Sequence, residues 1–206
     1  MKTNFSAVLL AFAIFGLPAS CLGQRIVRIE EDWEMQVVQP DEQLDAPQVT
    51  TCMLPFGSSS NLLFQLDINH GSTPSFSAGG LQLRICDDDR CYSSVRILAG
   101  VKLRQQSEQL SWTQVVQKSP EGYLFGIING SSSSLGTMAD AQDVAYISDS
   151  EVGPGSLETY DLRNSLENSE VSYAGNRIGW LRLRNIRVYY SNGQLVQLPL
   201  NSDIHL

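Results

Sequence analysis

Apolar and polar residues alternate with a period of two along most of this chain. That period constrains the fold more than any other feature, because it gives a strand one buried face and gives a helix no continuous apolar stripe. Over 27–37 the odd positions read Val27, Ile29, Glu31, Trp33, Met35 and Val37, whereas the even positions are mostly charged. The β-branched residues of this run favour strand over the helix that some of its spacings also allow. The same period puts Leu62, Phe64, Leu66 and Ile68 on one face, and it repeats at Leu81, Leu83 and Ile85. The stretch 49–56, VTTCMLPF, reads as strand, and further strand patterns follow at 92–98, 110–117, 123–128, 144–147, 170–173, 180–190 and 195–200.

Turn chemistry separates these runs. Ser191-Asn192-Gly193-Gln194 stands between the last two, and Asn-Gly is a strong hairpin signal because both central residues of a two-residue turn need positive φ. Cys86 and Cys91 flank the loop Asp87-Asp88-Asp89-Arg90, so a disulfide across that hairpin neck is expected, paired strand ends giving the Cα separation it needs. Cys52 is then left over and reads as a small buried apolar side chain. About ten strands with no helix pattern define an all-β chain, an antiparallel β-sandwich of jelly-roll-like form. GSSSSLG and SEVGPGS are loops within it, since strand patterns resume after each.

The chain starts MKTNFSAVLLAFAIFGLPASCLGQ, with one lysine, an apolar run at 7–17 and small residues after it. This is the three-part pattern of an export signal, so residues 1–23 are read as a cleaved signal peptide and 24–206 as a single sandwich domain. The apolar run is shorter than the roughly 20 residues of a spanning helix, and no transmembrane span is expected. Cleavage after Cys21-Leu22-Gly23 gives a secreted or periplasmic, envelope-located protein. Lipid attachment at Cys21 is the weaker alternative, because LPASC resembles a bacterial lipoprotein box with Pro18 where leucine is expected. An oxidising compartment suits the disulfide. Loss of Lys2 leaves 13 basic against 22 acidic residues, a net charge of −9, which disfavours nucleic acid and anionic membranes as partners.

Strand number, length and the closing segment GNRIGWLRLRNIRVYYSNGQL resemble the concanavalin-like and laminin-G-like jelly-roll sandwich superfamily. The resemblance covers most of the mature chain and implies its fold. It implies no single function, since such sandwiches serve as lectins, hydrolases and inert modules.

Retaining β-glucanases of that superfamily carry a Glu-x-Asp-x-Glu strand, and Glu30-Glu31-Asp32-Trp33-Glu34 matches it. The resemblance implies Glu30 as nucleophile, Asp32 as the residue that tunes its neighbours, and Glu34 as acid and base. That chemistry needs two carboxyls about 5 Å apart with separated pKa values, and strand alternation puts all three acids on one face. Several features depart from the pattern. Glu30 lies close to the start of the mature chain, where a strand is expected at a sheet edge, whereas the glucanase strand is central. Glu31 fills a slot that is aliphatic or aromatic in that family, and Trp33 faces away from the acids. Alternating charge on an edge strand also guards against edge-to-edge aggregation. The three acids are therefore expected to form a solvated strand face.

Other constellations carry less. His70 follows a strand without any nucleophile-elbow pattern nearby, and His205 adjoins a C-terminus expected to be loose. CDDDRC invites calcium, yet three adjacent acids do not converge on one ion, and no metal or other cofactor is expected. Arg182 and Arg184 share one strand face among the late arginines Arg177, Arg182, Arg184 and Arg187. They could grip an anionic glycan or a partner's carboxylates, or pair with this chain's own acids. The reading that results is a non-catalytic exported module that binds an extracellular carbohydrate or protein surface, or serves as an envelope component. The alternative is a retaining glycan hydrolase using Glu30, Asp32 and Glu34.

Overall fold

The computed structural model describes residues 24–57, 60–69, 79–138, 143–153 and 156–205. Its strands are β1 (Ile26–Val37), β2 (Gln48–Met53), β3 (Leu63–Ile68), β4 (Leu81–Cys86), β5 (Cys91–Ile97), β6 (Glu108–Lys118), β7 (Gly122–Ser132), β8 (Gly136–Met138), β9 (Val144–Ser148), β10 (Glu170–Tyr173), β11 (Ile178–Tyr190) and β12 (Leu195–His205). Two short helices, α1 (Asp149–Val152) and α2 (Leu162–Glu167), lie between β9 and β10. His70 lies outside the described residues.

The strands form two antiparallel sheets. A seven-stranded sheet runs β12-β11-β1-β6-β7-β8, with β9 also paired to β7, and a five-stranded sheet runs β10-β2-β3-β4-β5. The chain lays β1 in the larger sheet and crosses to make the meander β2 to β5. It returns for β6 to β9, crosses again for β10, and closes with the hairpin β11–β12. Along one side the sheets are tied by the Tyr146 backbone N–H, which donates to Ser93 Oγ at 3.2 Å.

β1 is an interior strand, contrary to the edge position expected from its place in the sequence. β11 pairs with it from Ile26 to Val37 on one side, and β6 pairs with it from Arg28 to Val37 on the other. The three are among the longest strands of the protein, and pairing them leaves few backbone donors and acceptors of β1 unmatched.

The inward faces follow the period-two pattern. Ile29, Trp33, Met35 and Val37 of β1 are 1% exposed or less, as are Phe64, Leu66 and Ile68 of β3 and Leu81, Leu83 and Ile85 of β4. Trp33 stacks with Trp112 of β6 at 6.5 Å between ring centroids and 8° between planes. Phe64 meets Phe125 of β7 edge-on at 5.7 Å, and Phe56 bridges Phe64 and Tyr123 at 5.8 and 4.8 Å. These edge-to-face contacts join the two sheets across the core.

Local chemistry fixes two hairpins. Cys86 and Cys91 form the expected disulfide, opposite each other in the β4–β5 register. The β11–β12 hairpin also forms, but only Gly193 takes positive φ, at 87°. Gly193 N–H donates to the Tyr190 carbonyl at 3.0 Å and Tyr190 N–H to the Gln194 carbonyl at 2.9 Å, a three-residue loop closed by one left-handed glycine rather than a two-residue turn. β12 then runs on to His205, whose backbone pairs with Leu181, so the chain end expected to be loose is held in a strand.

Truncating Phe64 removes a ring that contacts both sheets. Phe64→Ala should lower the free energy of unfolding by about 3–5 kcal/mol, read by chemical denaturation; a loss below about 1 kcal/mol would show that this ring is not a core element.

Candidate functional site

The outer face of the seven-stranded sheet carries the acids that the sequence singles out. Alternation along β1 places Glu30, Asp32 and Glu34 there, opposite Arg187, Asn185 and Arg182 of β11 and Val115, Thr113 and Ser111 of β6. A register shift in β11 makes Arg184 the extra residue between Leu183, opposite Trp33, and Asn185, opposite Asp32. Arg184 and Asn185 thereby both reach acids on the outer face, the effect of a bulge on side-chain direction.

Arg187 is the centre of this face. Its guanidinium bridges Glu30 at 2.5 Å and grips Asp32 with both terminal nitrogens, one at 2.6 Å to Oδ1. Glu30 also accepts from Arg28 Nε at 2.7 Å and from the Tyr189 hydroxyl at 3.1 Å, and is only 4% exposed. Asp32 accepts further bonds from the Thr113 hydroxyl at 2.7 Å and the Asn185 amide at 3.0 Å. Burial alone would raise the Asp32 carboxyl, but the hydrogen bonds from Arg187, Asn185 and Thr113, together with the Arg187 charge, hold it below its ordinary value. The Arg187 guanidinium is pushed up in turn, first by its bond to Asp32.

Arg182 and Arg184 lie on the same outer surface, and both are paired within the chain. Arg182 forms an ion pair with Asp203 of β12 and stacks over the Trp180 ring at 4.6 Å. Arg184 bridges Glu34 and Asn201 and is the more exposed of the two, at 46% of its side chain. Both arginines are thus paired within the chain, while Arg184 and Trp180 keep part of their surface open.

The acidic hairpin tip is occupied by its own turn. Asp87 accepts from the backbone of Asp89 and Arg90 at 2.9 and 2.8 Å and from the Tyr92 hydroxyl at 2.6 Å, and Asp88 accepts from the Asn61 amide at 3.0 Å. Among the described residues no three histidine, cysteine or acidic side chains are gathered to hold a metal ion. Cys52 is free and 0% exposed, and burial pushes its thiol up to about 12.

The most perturbed carboxyl of β1 is on the other face. Glu31 is 0% exposed and points into the core, with Gln114 and Ile186 opposite it on the neighbouring strands. The Tyr160 hydroxyl donates to Oε1 at 2.6 Å and the Trp33 indole N–H to Oε2 at 2.9 Å. Burial pushes this carboxyl from 4.5 up to about 7, against the pull of hydrogen bonding from Tyr160, Ser165 and Trp33. The sequence did carry a signal for Glu31, an acid standing in the apolar half of a period-two pattern. No local pattern pointed to Tyr160, whose role depends on a contact 129 residues away.

Two outcomes follow from these environments. Arg187→Ala leaves Glu30 buried without its bridge and should cost about 3–5 kcal/mol of stability, whereas Arg184→Ala at the exposed pair should cost less than about 1; equal losses in urea titrations would deny Arg187 its central place. Glu31 has a folded value above its unfolded one, so its contribution is complete below pH 4.5 and is lost as pH rises through about 7. Asp32 acts oppositely, its contribution being lost as pH falls below 3.8. Stability should decline between pH 5 and 7.5 by on the order of 2–3 kcal/mol at about 1.4 per pKa unit, and Glu31→Gln should remove that slope; a slope that persists in the variant rejects Glu31 as its source.

No known protein-family model matches this chain, and no curated protein matches it either.

Proposed function

We propose that this protein is an exported, non-catalytic β-sandwich module that binds an extracellular carbohydrate or protein surface through the outer face of its seven-stranded sheet. One observation carries the reading: each acid of the Glu30-x-Asp32-x-Glu34 strand is engaged by an arginine, Glu30 and Asp32 by Arg187 and Glu34 by Arg184. A retaining hydrolase needs one carboxylate free to attack a sugar and a second held protonated. Here Asp32 is held ionised and Glu30 is enclosed by Arg28, Arg187 and Tyr189.

What the face offers instead is a broad sheet of paired charges with part-exposed aromatic edges, Trp180 beside Arg182 and Tyr189 beside Arg28. Planar rings and fixed hydrogen-bonding groups on a rigid sheet suit recognition of a hydroxyl-rich or polar surface. The second reading, a retaining glycan hydrolase, is favoured by the interior position of β1 in its sheet.

Native electrophoresis through gels cast with a panel of polysaccharides separates the two. Retardation without clearing, weakened in Trp180→Ala and Arg184→Ala, is the expected result. Clearing that disappears in Glu30→Gln or Glu34→Gln would make the protein a hydrolase, and unaltered migration in every gel would move the partner to protein.

A further inference from the structure

Segment 156–169 closes one side of the sandwich without belonging to either sheet. It contains a 3-10 turn at Leu157–Thr159 and the six-residue α2, too short to be stable alone. Long-range hydrogen bonds tether it. The Ile26 N–H donates to Glu158 Oε1 at 3.1 Å, the Tyr160 hydroxyl to Glu31 at 2.6 Å, and the Cys52 N–H to Ser169 Oγ at 2.8 Å. α2 packs on β2, the strand that carries the buried Cys52 thiol.

We propose that the Glu31–Tyr160 contact is a proton-operated latch, which holds segment 156–169 against β2, where Ser169 binds the Cys52 backbone N–H, and releases it when the Glu31 carboxyl loses its proton. Tyr160 is the titratable group bonded to that carboxyl. Cys52 on β2 feels its charge, and Asp161 acts on Tyr160 from the same segment. Asp67 and Arg84, paired with each other on the five-stranded sheet, act on Cys52. The flanking residues Gln114 of β6 and Ile186 of β11 are uncharged, and Arg187, Glu30 and Asp32 are on the opposite face of the sheet. No cation is in contact with Glu31 among the described residues, so its ionised form rests on hydrogen bonding alone in a buried site, from Tyr160, Ser165 and Trp33. Opening the segment hydrates that charge, which ties the opening equilibrium to pH.

The thiol reports the opening. The protein is incubated with a neutral maleimide from pH 5 to 8 under native conditions, and labelling of Cys52 is read by peptide mapping. Each rate is divided by that of a small thiol at the same pH and then by that of Glu31→Gln. This ratio should rise by about tenfold per pH unit at most, tens of fold in total, and level off above about pH 7. A ratio flat with pH overturns the proposal. So does labelling that accelerates steeply in dilute urea, because exposure would then follow global unfolding. Tyr160→Phe, which keeps the carboxyl and removes its donor, should label faster than the unaltered protein at every pH; equal rates overturn the latch even if Glu31→Gln does not fold.

Discussion

Placing β1 between β11 and β6 is the constraint on which the rest of this structure depends. A strand paired on both sides must satisfy whatever its side chains bring to the two faces of the sheet. On the inner face β1 brings Trp33, which stacks on Trp112. On the outer face it brings three acids, and β11 answers with arginines from the matching register. The bulge at Arg184 shifts the alternation of β11, so that Asn185 and Arg187 face outward together with Arg182 and Arg184. Sheet order, aromatic packing and charge pairing are thus one arrangement seen from three sides.

The same arrangement governs what the acids can do. An acid held by a bidentate arginine keeps its charge and its position, which serves cohesion and recognition better than proton transfer. The carboxyl with the environment of a proton donor is Glu31, and it faces the core, away from any approaching ligand. Acidity and access are therefore separated by the thickness of one strand.

Much of the fold was legible because it rests on local patterns. The period of two identified the buried faces of β1, β3 and β4, the cysteine spacing identified the β4–β5 neck, and Asn192-Gly193 identified the last hairpin. Glycine alone sufficed to turn that hairpin, because the loop spans three residues. β8 escaped notice because three residues, Gly136–Met138, are too few to show a period. The interior position of β1 escaped notice because it is set by β11, and no short window contains both strands. For the same reason Arg187 was visible as one of several late arginines but not as the partner of two early acids. Glu31 broke the apolar pattern in plain view, yet its meaning required Tyr160.

The pairing of β1 with β11 has a consequence for how the molecule forms. Arg187 and Glu30 are 157 residues apart in sequence, so this contact closes a loop spanning most of the domain. Contacts of such separation are slow to form, since chain entropy is lost before the pairing repays it. A nascent chain makes β1 first and β11 almost last, and until β11 arrives one long side of β1 has no strand to meet. The meander β2 to β5 has no such delay, because each of its strands pairs with the next in sequence. The β2 to β5 meander is thus built to assemble as the chain emerges, whereas β10 beside β2 and β11 beside β1 wait for its end.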